Sequence, residues 1–473
     1  MSLNSNNVPP GEQPWLGVSR HSAWYAVCTL LLAYVFSIMD RQILTLLVGP
    51  IQHSLGVSDT QMGLLHGFTF AAFYAVVGMP IARLIDYGNR RIVIAAGVAM
   101  WCLATAAGGL AGEYWHLLLA RIGVAVGEAV LIPGTVSLLA DLFAPRQRGK
   151  ALGVFGAAGP FGAGAGLLIG GTVLGLFTTA APTLPLLGKL EAWQLTFLTL
   201  GLPGLLIALL VTLIPEPRSR KNRPREGITH AAQLPFAEVM AFLRANRRSY
   251  SALMLGGGFF YMGVYAISSW APTFFVREFA WSYAEIGKQL GLFLCLLGPL
   301  GALFGSWLGD FWRNRGVVHG NLRVAAVGGL GLTLSSTLML LMPTAELALI
   351  FLALSCPFWF IFFGAGPAAI QESSPAPMRG QFAAMYTGVI NLLGAGLGPV
   401  AVGLLTDHVL HDPAAIKYAM LVVCLASGLL ACGWFSRGFT SFGRTRRHAA
   451  IWEPGNGAPD HTDLSAPRHS PLL

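Results

Sequence analysis

Twelve stretches of this chain stay apolar for about twenty residues or more, and that pattern leaves few folds open. In hydrocarbon every backbone N–H and C=O must be satisfied internally, so only helices and closed barrels cross a membrane. A core of about 30 Å takes about 20 helical residues at about 1.5 Å each. Barrel strands instead alternate over about ten residues, and these runs do not. Residues 22–48, 62–85, 91–112, 115–142, 150–178 and 193–214 give six spans, then a polar connection intervenes. Six more follow at 250–276, 284–310, 322–342, 346–371, 380–406 and 416–436. The expected fold is therefore an all-α polytopic membrane protein of twelve transmembrane helices in two six-helix bundles, 22–214 and 250–437. Residues 1–21, the linker 215–249 and a disordered tail 438–473 complete the expected organisation.

The positive charges orient it. Of the 30 Lys and Arg residues, 24 fall in the tails and loops on the side of the termini. Only Lys189, Arg277, Lys288 and Lys417 fall opposite, and Arg41 and Arg121 lie inside spans. Cytoplasmic loops concentrate Lys and Arg, so both termini are expected in the cytoplasm and the net charge of +9 requires no nucleic-acid partner. Residues 1–20 lack the pattern of a cleaved signal, so the first span is expected to stay as an anchor, in the plasma membrane, a bacterial inner membrane. All six cysteines sit in apolar runs without CxxC spacing, and no His/Cys cluster has metal-ligand spacing. Neither metal nor cofactor is expected, and the chain is expected to act as a monomer.

Within the linker, Phe236, Val239, Met240 and Leu243 recur at i, i+3, i+4, i+7 and Arg244, Arg247 and Arg248 follow. That is an amphipathic helix, lying on the cytoplasmic surface or spacing the two halves. The segment before it, from Pro215 to Arg225, reads as a solvated basic linker. Two loop patterns repeat at nearly one offset: Ala82 to Arg91 is echoed by Ser306 to Arg315, and Pro145 to Ala151 by Pro377 to Ala383. Two such echoes divide the chain into related halves.

Charges inside an apolar helix are the next constraint. An Asp or Arg near a span centre costs roughly 2.5 to 3.5 kcal/mol, so it persists where it is paired and used. Span 1 carries Asp40 and Arg41 together; span 4 carries Arg121 and Glu128, seven residues apart on one face and about 10 Å apart in depth. Span 2 adds His66 in its outer half. Antiparallel threading puts Asp40 and Arg41 at depths between those of Glu128 and Arg121, so the five converge on one slab of the membrane, and the four permanent charges cancel. Asp40 and Glu128 are the expected proton-exchanging groups, because burial favours a neutral carboxyl and a guanidinium neighbour favours a charged one. Arg41 and Arg121 cannot deprotonate and are expected to release or recapture those carboxylates, or to bind an anionic headgroup. His66 is either a relay or a hydrogen-bonded core residue, and a purely structural ion pair is the alternative for Glu128.

The second half has no Lys, Arg, Asp or Glu at mid-depth. It offers Phe259, Phe260, Tyr261, Tyr265 and Trp270 in span 7, Phe358, Trp359, Phe360, Phe362 and Phe363 in span 10, and Tyr386 and Asn391 in span 11. Tyr265 and Trp270 join Arg41 and Arg121 as candidate substrate or charge partners; Trp359 has no assigned role. One charged wall and one aromatic wall suit an amphiphile, with packing or lipid contact as the alternative for many of the rings.

The loop after span 2, Ala82-Arg83-Leu84-Ile85-Asp86-Tyr87-Gly88-Asn89-Arg90-Arg91, resembles the G-x-L-A-D-R-x-G-R-R motif of the major facilitator superfamily. Leu84, Asp86, Arg90 and Arg91 match, while Ala82, Ile85, Tyr87 and Asn89 depart from it. The resemblance implies a cytoplasmic gate at Asp86, Arg90 and Arg91, with Asp310 as the counterpart in the second half. Within that superfamily the chain resembles the Spinster group through Met39-Asp40-Arg41, Arg121 to Ala129, and Ser137 to Pro145 leading to Arg148-Gly149. This implies proton-linked movement of amphipathic lipids such as sphingosine-1-phosphate or lysophospholipids. Gly159-Pro160 in span 5 and Gly398-Pro399 in span 11 resemble the Gly-Pro motif of the superfamily's antiporters.

Other classes fit less well. No GxxxxGK[ST] and no soluble domain supports an ATP-driven pump, and no HExxH or GxSxG supports a membrane enzyme. A channel or receptor lacks a use for paired halves around buried carboxylates. The remaining alternatives are a proton symporter of a small organic anion or sugar, or a multidrug/proton antiporter.

Overall fold

The computed structural model describes residues 18–180, 182–184, 188–217 and 236–451. Its spans are Arg20–Leu46, Asp59–Gly78, Arg90–Gly108, Tyr114–Leu142, Pro145–Thr179 and Ala192–Thr212, then Arg247–Phe279, Tyr283–Asn314, Gly320–Leu341, Ala345–Ser373, Ala376–Leu410 and Pro413–Phe439. Twelve apolar spans in two sets of six agree with the sequence expectation. Between spans 5 and 6, Thr183 pairs with Lys189 in a two-residue antiparallel ladder.

Each half closes on itself first. Spans 1, 3, 4, 5 and 6 pack in the first half, and spans 7, 9, 10, 11 and 12 in the second. Small residues set the approach: a Cβ at Gly127 would stand 2.7 Å from the carbonyl oxygen of Gly97, so spans 3 and 4 touch backbone to backbone there. The halves meet along two seams, span 5 on span 8 and span 2 on span 11. In the second seam a Cβ at Gly63 would lie 2.8 Å from the carbonyl oxygen of Pro399. Both helices loosen into π-helical turns at this seam, Leu64–Phe68 in span 2 and Ile390–Gly396 in span 11.

The seams are tight toward the face opposite the arginine-rich loops. Arg277 of span 7 grips both carboxylate oxygens of Asp59 on span 2 at 2.7 and 2.8 Å, and also Gln52 at 3.0 Å. The Thr60 backbone N–H donates to Asp407 of span 11 at 2.7 Å, and that of Gly49 to the Tyr283 hydroxyl at 3.0 Å. On the arginine-rich side, Leu131–Leu142 and Pro145–Gly156 pack within the first half, and Phe362–Ser373 and Arg379–Val389 within the second. The molecule is thus closed between its halves on one face and open on the other.

Two expectations change. The tail 438–473 contains a helix, Phe442–Ala450, with Phe442, Thr445 and Ala449 buried, so its first turns are ordered by packing; residues 452–473 lie outside the described residues. The amphipathic helix exists as Phe236–Ala245, but its apolar face is covered by protein rather than presented to lipid. Val239 is buried, and the Phe242 ring sits 6.0 Å from that of Phe382 and 4.8 Å from that of His448. A helix of ten residues is marginal alone, and this one is stabilised by docking on the second half and the terminal helix.

Candidate functional site

Spans 1 and 4 bring the four intramembrane charges together as two pairs. Arg121 Nη1 donates to Asp40 Oδ2 at 2.8 Å, and the Thr105 hydroxyl of span 3 donates to Asp40 Oδ1 at 2.5 Å. Arg41 donates through Nε (2.7 Å) and Nη2 to one oxygen of Glu128, Oε2. The other oxygen, Oε1, is buried without a hydrogen-bond partner among the described residues. Because Asp40 and Arg41 are consecutive, they diverge by about 100° around the helix and each finds its own partner on span 4.

The two pairs differ in access. The side chains of Arg121, Asp40 and Glu128 are 4, 7 and 0% exposed, whereas that of Arg41 is 30% exposed. Arg41 alone of the four therefore faces open space. Its guanidinium lies 4.0 Å over the Phe70 ring of span 2, and the hydroxyls of Tyr34, Tyr74 and Tyr265 are within electrostatic reach. Tyr265 belongs to span 7, so the charged wall and the aromatic wall meet at Arg41. Tyr261 continues that wall, its ring 6.5 Å from Tyr265 and 6.4 Å from Phe362. The buried Tyr386 hydroxyl has no hydrogen-bond partner among the described residues.

Other expected residues take different places. His66 sits in the π-helical turn of span 2, its Nδ1 against the Met62 carbonyl at 3.0 Å and its Nε2 buried without a partner among the described residues. It is near Arg121 but joins neither ion pair. Trp270 is buried and donates through Nε1 to the Pro399 carbonyl at 3.0 Å, tying span 7 to span 11 within the second half. Trp359 is buried in the same core.

Among the described contacts, Arg90, Arg91 and Asp310 bond inside their own halves. Arg90, 1% exposed, reaches Asp141 at 2.7 Å and Glu216 at 2.8 Å, and Arg91 donates to the Ile214 carbonyl at 3.2 Å. Asp310 pairs with Arg313 one turn away at 3.4 Å, and Asp86 is exposed at the end of its helix. In this state Arg90 and Arg91 brace spans 3, 4 and 6 together. Glu216, read as part of a solvated linker, is one of the braces. Asp59, Thr105 and Phe70 were not singled out in the sequence. Only Asp59 had a local signal, the Ser58-x-x-Gln61 capping box that starts its helix.

Two six-helix halves, sealed on one face, open on the other and holding charge pairs at the centre, define a membrane transporter. A profile of the Major Facilitator Superfamily matches residues 30–399, and the chain belongs to that superfamily. It is 29% identical over 425 residues to an MFS-type efflux pump of Mycolicibacterium smegmatis, covering 88% of this chain and 92% of that one. It is 25% identical over 483 residues to protein spinster homolog 1 of Xenopus tropicalis, covering 94% and 86%. Among solved structures, a bacterial homolog of the human lysosomal transporter Spinster, inward-facing and unoccupied, superposes with a TM-score of 0.73 at 23% identity, over 93% of this chain and all of that one.

Proposed function

We propose that the protein moves an amphipathic anion of the lysophospholipid or sphingosine-1-phosphate type by proton-coupled alternating access. The observation that carries this reading is the unequal exposure of the two ion pairs. Arg41 is open to the space between the halves while its partner Glu128 is fully buried beneath it. An anionic headgroup arriving at Arg41 competes for the guanidinium and strips Glu128 of its counter-charge. A buried carboxylate without a counter-charge takes up a proton, and Oε1 is the free atom to receive it. Release of the headgroup returns Arg41 to Glu128 and expels the proton. The apolar tail then lies along Tyr261, Tyr265 and Phe70. By the positive-inside rule the arginine-rich open face is cytoplasmic, so the state described faces inward.

The similarity to an efflux pump supports export, with multidrug/proton antiport as the second reading. Counterflow in proteoliposomes separates them: labelled lysophospholipid, a labelled sugar acid and a lipophilic cation are compared with and without an imposed proton gradient. Gradient-dependent flux of the lysophospholipid is expected. Flux of the sugar acid or the cation without flux of the lipid overturns the substrate assignment.

A further inference from the structure

Tyrosines from three helices surround the open guanidinium of Arg41. Tyr34 of span 1, Tyr74 of span 2 and Tyr265 of span 7 are each half-buried and each within electrostatic reach of it. Tyr34 precedes Arg41 by seven residues, two helical turns, so both lie on one face of span 1 and Tyr34 is about 10 Å nearer the arginine-rich side. The Tyr74 ring stacks at 5.7 Å on that of Phe70, over which Arg41 lies, and the Tyr34 ring stacks at 4.9 Å on that of Phe155 of span 5. Packing thus holds these rings, yet among the described residues none of the three hydroxyls has a hydrogen-bond partner. Elsewhere in the fold tyrosine hydroxyls are satisfied by protein: Tyr25 donates to the Leu210 carbonyl and Tyr250 to that of Ser373, each at 2.9 Å. A partly desolvated hydroxyl without a partner is costly, and three of them around one cation are donors placed for an outside acceptor.

Arg41 alone does not distinguish one anion from another. A guanidinium pairs with carboxylate and phosphate alike, and Nε and Nη2 of Arg41 are already engaged by Glu128. The tyrosines add direction, because their hydroxyls approach from three helices. A carboxylate has two oxygens in one plane. A phosphomonoester has three terminal oxygens on a tetrahedron, each able to accept more than one bond, so it can engage Arg41 and hydroxyls from several sides at once. We propose that Tyr34, Tyr74 and Tyr265 are specificity-determining residues, a hydroxyl cradle that selects a phosphomonoester headgroup over a carboxylate at Arg41. The assignment rests on the amphipathic-anion reading given above. Tyr265 is supplied by the second half, so a headgroup in the cradle touches both halves, whereas a carboxylate held by Arg41 alone does not.

The test is equilibrium binding of tritiated oleoyl lysophosphatidic acid and of tritiated oleate to the full chain in detergent. The two share an apolar chain and differ in the headgroup, a phosphomonoester against a carboxylate. The wild type is expected to prefer the phosphomonoester by about tenfold or more. Tyr34→Phe, Tyr74→Phe and Tyr265→Phe each remove one hydroxyl and keep the ring, and thermal melting identifies the variants that fold. Each is expected to weaken lysophosphatidic acid by about tenfold while oleate stays within about threefold, and Arg41→Gln is expected to weaken both. Loss of packing alone weakens the two ligands together and leaves the preference intact. Equal affinities in the wild type, a preference for oleate, or a full preference kept in every folded Tyr→Phe variant overturns the cradle. If neither amphiphile binds the wild type, the amphipathic-anion reading itself fails, and the cradle with it.

Discussion

At the residue scale, neighbours on span 1, Asp40 and Arg41, each form an ion pair with a partner on span 4. Removing one member of a buried pair leaves an uncompensated charge, which costs about 3 to 5 kcal/mol. Arg121→Leu should therefore lower the unfolding temperature in detergent sharply, and Asp40→Leu in the same chain should recover much of the loss. The transport counterpart concerns coupling: Asp40→Asn and Glu128→Gln should each abolish gradient-driven flux while counterflow of labelled lysophospholipid persists. Near-normal gradient-driven flux in both would make the carboxylates structural. Arg41 and Arg121 look alike in the sequence, and only the fold separates an open guanidinium from a buried one.

Whole helices carry the closure between the halves. Span 2 meets span 11 through Gly63 and facing π-helical turns, and Arg277 latches Asp59 across the halves. Arg277→Gln or Asp59→Asn breaks a nearly buried bidentate pair that joins the two halves on this face. Either should raise the population open on this face, read as longer distances between spin labels on spans 2 and 11 by pulsed electron resonance. An unchanged distance distribution would show the latch to be incidental. The terminal helix makes a separate, pH-sensitive contact. His448 accepts from Asn246 at 3.1 Å and packs its ring, tilted, against that of Phe242, and burial pulls it below the ordinary imidazole value of 6.5. The free helix then binds the proton more readily than the docked one. Docking is complete above about 6.5 and weakens as the pH falls through and below that value. Hydrogen exchange over Phe442–Ala450 should be faster at acid pH in the wild type than in His448→Phe.

For the whole molecule, the two halves must part on the closed face for anything to cross. Joining Thr60→Cys to Asp407→Cys with a short thiol cross-linker should lock that face, abolish both net flux and counterflow, and be reversed by reductant. Cross-linked protein that still transports would contradict rocking of the halves. The fold was legible in the sequence because hydrocarbon imposes it locally: each span announces itself by length and apolarity, and the loops by arginine. Arg90 and Glu216 were not legible in their roles. An arginine in a basic loop and a glutamate in a linker carry no periodic signal, and their pairing across 126 residues arises only when spans 3, 4 and 6 assemble.

By itself the sequence determined the number of spans, the two halves, the separation of the basic loops from the opposite face, and the placing of Asp40, Arg41, Arg121 and Glu128 within the spans. Each of these follows from the local cost of placing a charge or a backbone group in hydrocarbon, which is paid residue by residue along the chain. Only the tertiary structure decided which carboxylate meets which arginine, that Arg41 is open while Arg121 is enclosed, and that the face bearing Asp59 and Arg277 is shut. Those depend on helix rotation and on how closely glycine lets two backbones approach, quantities set by neighbours distant in the chain.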